Sequence, residues 1–220
     1  MIDHWSALIL AGGAGRRFAS ADGLGKLLAD LGGAPVIRRV AEAVAAAGFA
    51  EVVVVTGAEG ASLRSALAGL SCRIVHADDW AEGMAATLRA GIAALAPETR
   101  GVCVFLGDMP LVPVGLCGPL VEAAERAGYA ARARIEGLPG HPVAFTRSAF
   151  ADLARLTGDA GAAALLKGRS DVAYCDTADR GALLDIDRPE DLAAVVAAWN
   201  ACATSATSES ATSRGALPKP

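Results

Sequence analysis

The chain has 220 residues, 53% of them hydrophobic, so it can bury one sizeable core, and we expect a single folded domain. A net charge of −4 without long basic runs argues against broad binding to nucleic acid or to an acidic membrane. The chain lacks both an apolar segment of about 18 residues and a signal-peptide pattern at Met1–Trp5, which predicts a cytoplasmic protein. Five dispersed cysteines without Cys-x-x-Cys spacing favour reduced thiols over a zinc site or disulfides.

The N-terminal half alternates short β-branched runs with alanine-rich helical patterns. Strands are predicted at 8–10, 52–55, 72–75 and 102–106, and helices at 35–47, 62–70 and 85–94. This alternation of apolar strands and helices predicts an α/β fold, with a mostly parallel sheet covered by helices on both faces. In such sheets ligands bind beyond the carboxyl ends of the strands.

The C-terminal half is less regular. Helices are predicted at 113–127, 160–167 and 189–200, and strands at 130–135 and 143–145 flank a Gly/Pro turn. Beyond Cys202 the chain is rich in Ala, Ser and Thr and has little that could pack. We therefore predict a folded domain over 1–202 and a disordered tail over 203–220.

The first strand runs directly into the glycine-rich segment Leu10–Phe18, which is followed after a polar stretch by Lys26. Glycines after a strand let backbone N–H groups approach an anion closely. Arg16, Arg17 and Lys26 add positive charge that a structural turn without a ligand would leave unexplained. The segment therefore predicts a phosphate-binding loop.

Two known loop types fit this segment poorly. In a dinucleotide-binding fingerprint, Gly13 and Gly15 match, but the third glycine position holds the bulky Phe18. A Walker loop would place its first glycine at Ser20 and a Ser or Thr at Leu27, so this motif fails.

The remaining pattern, Leu-Ala-Gly-Gly-x-Gly-x-Arg followed by Lys, resembles the signature loop of the molybdenum cofactor nucleotidyltransferases. Four more elements of that family follow in order along 6–198: Gly83-Met84-x-x-Thr87, Gly107-Asp108-Met109-Pro110, Pro139-Gly140-His141-Pro142 and 184–191. The resemblance implies a single Rossmann-like nucleotidyltransferase domain. It also implies transfer of a nucleoside monophosphate from a nucleoside triphosphate to the phosphate of molybdenum cofactor, with release of pyrophosphate.

The resemblance also assigns roles to individual residues. It implies that Arg16, Lys26 and Asp108 are catalytic, that Asp108 and Asp187 bind Mg²⁺, and that Gly140 and His141 contact the acceptor. The nucleotide-binding residues that it implies are Leu10, Ala11, Gly12, Gly13, Gly15, Arg16, Lys26, Asp79, Gly83, Met84 and Thr87.

The residues themselves leave alternatives open for four of these assignments. Asp108 directly follows a predicted strand, where one carboxylate suits Mg²⁺ but also an ordinary turn before Pro110. Asp187 precedes a helix with Pro189 in its first turn, so it could cap that helix instead of binding metal. A lone histidine such as His141 is most often structural. Lys26 follows Phe18 at a longer distance than in the family, which leaves its placement open.

The motifs disagree about which base the bound nucleotide carries. Leu10–Gly13 resembles the guanylyl-transferring relatives, whereas 82–84, 139–142 and 184–191 resemble the cytidylyl branch. We therefore expect CTP, with GTP as the alternative, molybdenum cofactor as acceptor and a client molybdoenzyme as a further partner. Two other classes stay open: an NAD(P)-dependent oxidoreductase using the same turn, and a non-catalytic chaperone for cofactor insertion.

Overall fold

The computed structural model describes residues 2–15, 17–18, 24–159 and 161–212. Its strands form one seven-stranded sheet. They are β1 (Ser6–Ala11), β2 (Glu51–Thr56), β3 (Arg73–His76), β4 (Gly101–Leu106), β5 (Ala130–Ile135), β6 (Leu138–Thr146) and β7 (Val172–Asp176).

The strand order is β3-β2-β1-β4-β6-β5-β7. β1 lies parallel to both β2 and β4, β2 to β3, and β5 to β7. Only β6 runs against its neighbours β4 and β5. The predicted mostly parallel sheet is therefore confirmed, and the reversal of β6 brings its first residues to the edge where β1 and β4 end.

The helices are α1 (Val36–Ala45), α2 (Gly60–Ala66), α3 (Met84–Ala94), α4 (Cys117–Ala127), α5 (Phe150–Leu153), α6 (Ala163–Leu166) and α7 (Pro189–Thr212). Side chains of β1 alternate between two cores: Ile9 packs on the face covered by α1, α2 and α4, and Leu8 on the face covered by α3, α5 and α6. Both faces of the sheet are thus covered, as predicted. Among the described residues, no helix combines the length and apolarity needed to span a membrane.

Helix α1 shows how local sequence sets these elements. Pro35 precedes it with φ −56°, a backbone angle that proline imposes without needing a hydrogen-bond donor. Its apolar stripe, Val36, Ile37, Val40, Ala41 and Val44, is buried against the sheet. Gly48 follows with φ +87°, which ends the helical conformation.

Two parts of the C-terminal half differ from the prediction. The turn between β5 and β6 is the pair Glu136-Gly137, with φ of 50° and 83°, so Pro139–Pro142 lies inside β6 and not in a turn. A register shift between Arg132 and Arg134 accommodates this irregular start. The sequence did not predict β7 or α5, because β7 is a half-exposed edge strand and α5 has a single turn.

The predicted start of a tail at residue 203 falls inside α7, which is continuous to Thr212. The stretch 203–212 contains neither Gly nor Pro, so nothing in it interrupts backbone hydrogen bonding along the helix. Residues 213–220 lie outside the described part, and the predicted domain boundary stays a prediction. Helix α6 is also shorter than the predicted 160–167.

Candidate active site

The glycine-rich loop leaves β1 at the carboxyl edge of the sheet and is closely packed. A Cβ on Gly12 would lie 2.4 Å from Oγ1 of Thr87, and a Cβ on Gly57 would lie 2.4 Å from the Gly12 carbonyl oxygen. Gly15 has φ +57°, a conformation that side chains disfavour. The loop backbone is therefore held between α3 and the exit of β2 in a path that only glycine permits.

Three carboxylates face this loop. Asp108 lies two residues beyond the end of β4, and Asp185 and Asp187 precede α7; one oxygen of each lies within 4.8 Å of the others. Asp108 Oδ1 is buried without a hydrogen-bond partner. Such a set of hard oxygen ligands, with one buried lone-pair donor unsatisfied, fits a divalent cation.

Lys26 lies between two of these carboxylates. Its Nζ is 2.5 Å from Asp108 Oδ2 and 2.7 Å from Asp187 Oδ1, and only 14% of its side chain is exposed. Burial alone would lower the pKa of Lys26, but the two carboxylates outweigh it and raise that pKa. The long segment after Phe18 therefore still delivers Lys26 to the cleft.

The carboxylates differ in their electrostatic surroundings. The hydrogen bond from Lys26 lowers the pKa of Asp187, and Arg17, 3.0 Å away, adds to this effect. Burial raises the pKa of Asp185, and the charges of Asp108 and Asp187 raise it further. The cluster is thus negatively charged, and a bound cation would stabilise it.

The alternative role of Asp187 as a helix cap is not what the structure has. Asp191 Oδ2 accepts hydrogen bonds from the backbone N–H groups of Asp187 and Arg188, at 3.0 and 2.8 Å. The carboxylate of Asp187 contacts Lys26 and Arg17 instead. Asp187 is therefore free of the helix end and available to the cleft.

Most of the predicted site residues line one cleft of about 680 Å³. These are Leu10, Ala11, Gly12, Gly13, Gly15, Lys26, Gly83, Met84, Thr87, Asp108 and Asp187. Arg16 lies outside the described residues. Asp79 does not line this cleft, because its carboxylate is held by Arg89 Nη2 at 2.5 Å.

The two residues predicted to contact the acceptor lie beside the cleft and not in its lining. His141 lines an adjoining cavity, and the Gly140 carbonyl accepts hydrogen bonds from Arg132. The sequence also did not single out Asp185 or Asp159, which line the cleft. Asp185 stands two positions before Asp187 in the same motif, which was the available signal; Asp159 follows α5 in a loop that carries none.

A glycine-rich loop at the carboxyl end of β1, opposed by a carboxylate cluster and a largely buried lysine, is the arrangement that the sequence predicted for a nucleotidyltransferase. The chain matches the model of the MobA-like NTP transferase domain over residues 7–174, and it belongs to that family. The predicted fold, family and enzyme class are thereby confirmed.

One relative is similar in sequence, and the others are solved structures with a similar fold. The chain is 30% identical to nicotine blue oxidoreductase of Paenarthrobacter nicotinovorans over 198 residues, covering 85% of this chain and 94% of that protein. It is 27% identical to Rv0371c of Mycobacterium tuberculosis H37Rv, with a TM-score of 0.75 and coverage of 89% and 99%. A structure of that protein is a complex with manganese (26% identity, TM-score 0.71, coverage 87% and 97%).

A nucleotidyl transferase from Methanothermobacter thermautotroptrophicus, Mth528, shares the fold. Its TM-score is 0.79, with 24% identity and coverage of 90% of this chain and 98% of that one.

Proposed function

We propose that this enzyme transfers CMP from CTP to the phosphate of molybdenum cofactor and releases pyrophosphate, with GTP as the alternative donor. The observation that carries the proposal is the position of Lys26 and the glycine-rich loop opposite Asp108, Asp185 and Asp187 in one cleft. Support for CTP over GTP comes from the sequence elements at 82–84, 139–142 and 184–191.

In this reaction an oxygen of the acceptor phosphate attacks the α-phosphorus of the triphosphate. The new P–O bond forms as the bond to the β-phosphate oxygen breaks, and pyrophosphate leaves with the electron pair. The attacking phosphate is already anionic, so no general base is needed. The protein contributes positioning and charge neutralisation, for which Lys26, Arg17 and the loop N–H groups are suited.

Asp108 and Asp187 would hold Mg²⁺ in this cleft, with Asp185 beside them. When bound, the ion supplies Lewis-acid stabilisation of charge on the phosphate oxygens. Lys26 would direct its ammonium group toward the triphosphate, because this residue lines the same cleft as the glycine-rich loop.

The test is pyrophosphate release with each of the four nucleoside triphosphates, with and without molybdenum cofactor. A pocket matched to one base leaves polar groups unpaired with another, at about 1 to 3 kcal/mol each, so we expect CTP to be preferred at least tenfold. Faster release with GTP would make the enzyme a guanylyltransferase. Release from none of the nucleotides would refute the proposal.

A second candidate, an NAD(P)-dependent oxidoreductase, is favoured by the likeness to nicotine blue oxidoreductase. Against it, Phe18 occupies the third glycine position of the dinucleotide fingerprint, and only 7% of this bulky residue is exposed. Hydride transfer also gives no role to the carboxylate cluster. Oxidation of NADPH in the presence of nicotine blue, followed by the absorbance of NADPH, would support this candidate, and we expect none.

A further inference from the structure

The segment that follows Lys26 folds back on itself and runs directly into α1. Gly32 and Gly33 at its tip have φ of 62° and 83°, the angles of a type I′ turn. Three backbone hydrogen bonds, of 2.8 to 3.0 Å, join its two arms. This segment, residues 27–37, is called the Lys26 hairpin below. It fixes the backbone of Lys26 to α1.

Arg39 on α1 holds the tip of the Lys26 hairpin. Its Nε donates to the Leu31 carbonyl at 3.0 Å, and its Nη2 donates to the Gly32 carbonyl. Glu42, one turn further along α1, accepts from Nη1 at 3.2 Å and so helps to orient the guanidinium. Hydrogen bonds from a charged group are strong and directional, so the turn is tied to α1 by this side chain.

Trp199 on α7 covers the same tip. The guanidinium carbon of Arg39 lies 5.2 Å from the centroid of the indole ring, which is a cation–π distance. A Cβ on Gly32 would lie 2.7 Å from Nε1 of Trp199, so the indole lies directly against the turn. The hairpin tip, Arg39 and Trp199 are therefore in mutual contact.

Helix α7 connects this contact to the carboxylates of the cleft. It begins two residues after Asp187, whose Oδ1 lies 2.7 Å from Lys26 Nζ, and it reaches Trp199 after about 15 Å of helix rise. An apolar cluster, separate from the two cores of the sheet, packs the hairpin against α7. Its buried members are Phe18, Ala29, Leu31, Val36, Ile186 and Val195.

We propose that Arg39 and Trp199 form a latch that positions Lys26 for contact with the phosphates of the bound nucleotide. A lysine side chain has four flexible bonds, so its ammonium group meets an anion at low entropic cost only where its backbone is held. Neither latch residue lines the cleft, and both are therefore positioning residues. That the anion is the triphosphate of a nucleotide rests on the proposed function.

Isothermal titration with inorganic tripolyphosphate in the presence of Mg²⁺ tests the latch, because this probe presents phosphates without a base or an acceptor. Lys26→Ala should weaken its binding about tenfold, since the ammonium group is lost. We expect Arg39→Gln and Trp199→Ala each to weaken it at least threefold. Thermal unfolding of each variant checks the fold. Arg39→Gln leaves the apolar cluster intact, so it tests the same contact should Trp199→Ala fail to fold.

Arg38→Gln is the matched control for Arg39→Gln. Arg38 is the neighbouring residue on α1, it also pairs with Glu42, and it also donates to two backbone carbonyls. Those carbonyls belong to Ala66 and Ala68 at the end of α2, away from the Lys26 hairpin. Arg38→Gln should therefore bind tripolyphosphate like the wild type.

A double-mutant cycle separates positioning from a general loss of structure. In the Lys26→Ala background, neither Arg39→Gln nor Trp199→Ala should weaken tripolyphosphate binding further, because the ammonium group that the latch places is absent. Trp199→Phe keeps an aromatic ring beside the guanidinium of Arg39 and should bind within about twofold of the wild type.

No tripolyphosphate binding by the wild type, unchanged binding by either latch variant, or equal losses with and without Lys26 would overturn the inference. If tripolyphosphate binding depends on the latch but no nucleotide releases pyrophosphate, the proposed function fails and the latch stands. If pyrophosphate is released with molybdenum cofactor while tripolyphosphate binding ignores Arg39 and Trp199, only the latch fails.

Discussion

The cleft and a second cavity of about 250 Å³, which adjoins it on the side of the sheet covered by α3 and α6, share a wall but have opposite chemistry. Four carboxylates, Lys26 and the glycine-rich loop line the cleft, whereas the second cavity is apolar apart from Arg132 and His141. Charged groups act strongly on phosphates but distinguish rings poorly; a few hydrogen bonds in an apolar pocket do the reverse. The comparison shows a charged compartment and a largely apolar one that share Leu10, Met84 and Leu106 as a common wall.

The largest effect should come from the carboxylates of the cleft. Asp108→Asn keeps the size of the side chain but removes its charge, so we expect turnover to fall about a hundredfold, or about 2.7 kcal/mol in barrier. Pyrophosphate release at saturating Mg²⁺ measures it, with thermal unfolding to check the fold. Asp176→Asn, an exposed carboxylate on β7, is the control. Residual turnover above a tenth of wild type would remove Asp108 from the chemistry.

His141, which lines the second cavity, should instead make the free energy of unfolding depend on pH. The pKa of His141 is lowered from 6.5 to about 4, so the unfolded chain takes up this proton first. The stability that neutral His141 confers is fully present above pH 6.5 and is lost as the pH falls toward 4. Between pH 8 and 4.5, the wild type should lose about 2 kcal/mol of unfolding free energy more than His141→Gln does.

Denaturant unfolding at the two pH values provides this measurement. His76→Gln, at an exposed histidine on β3, serves as the control and should follow the wild type. Parallel pH profiles for the wild type and His141→Gln would mean that the histidine is not held in a buried neutral state.

A smaller effect separates phosphate from base within the cleft. Lys26→Ala should weaken CTP binding about tenfold, because only the triphosphate presents charge to its ammonium group, and should leave cytidine binding unchanged. Isothermal titration with both ligands measures the difference. Equal losses for CTP and cytidine would mean that Lys26 supports the cleft without contacting phosphate.

The smallest effect concerns the packing of the loop at the cleft. Gly12→Ala would place a methyl group 2.4 Å from Thr87 Oγ1, and we expect a loss of about 1 kcal/mol in stability. Thr87→Ala removes the obstructing atoms, so the double variant should recover most of that loss. A double-mutant cycle of thermal unfolding tests the coupling. If the effects of the two substitutions were additive, the loop would accommodate the new methyl group without a clash with Thr87.

The cleft could be predicted largely from the sequence, because its residues directly follow strands. Asp108 lies two residues beyond β4 and the glycine-rich loop continues directly from β1, so their meeting at one edge follows from the parallel pairing of these two strands. Asp185 escaped prediction, because spacing alone does not tell which carboxylate of a motif turns inward.

The second cavity could not be predicted in this way. Its polar pair comes from β5 and β6, whose hairpin turn lies at Glu136-Gly137 and not at the more conspicuous Pro139–Pro142. Arg132 also sits beside a register shift, which no local pattern reveals. Long-range pairing, and not local propensity, determines what faces this space.

The contacts of Lys26 imply that the binding of a nucleotide and the binding of a cation would be coupled. Its ammonium group lies between Asp108 and Asp187 and offsets part of their negative charge. If Lys26 turned toward a triphosphate, Asp108 and Asp187 would lose this contact and would favour a bound cation in its place. Nucleotide and metal should therefore bind with positive cooperativity, each lowering the electrostatic cost of the other.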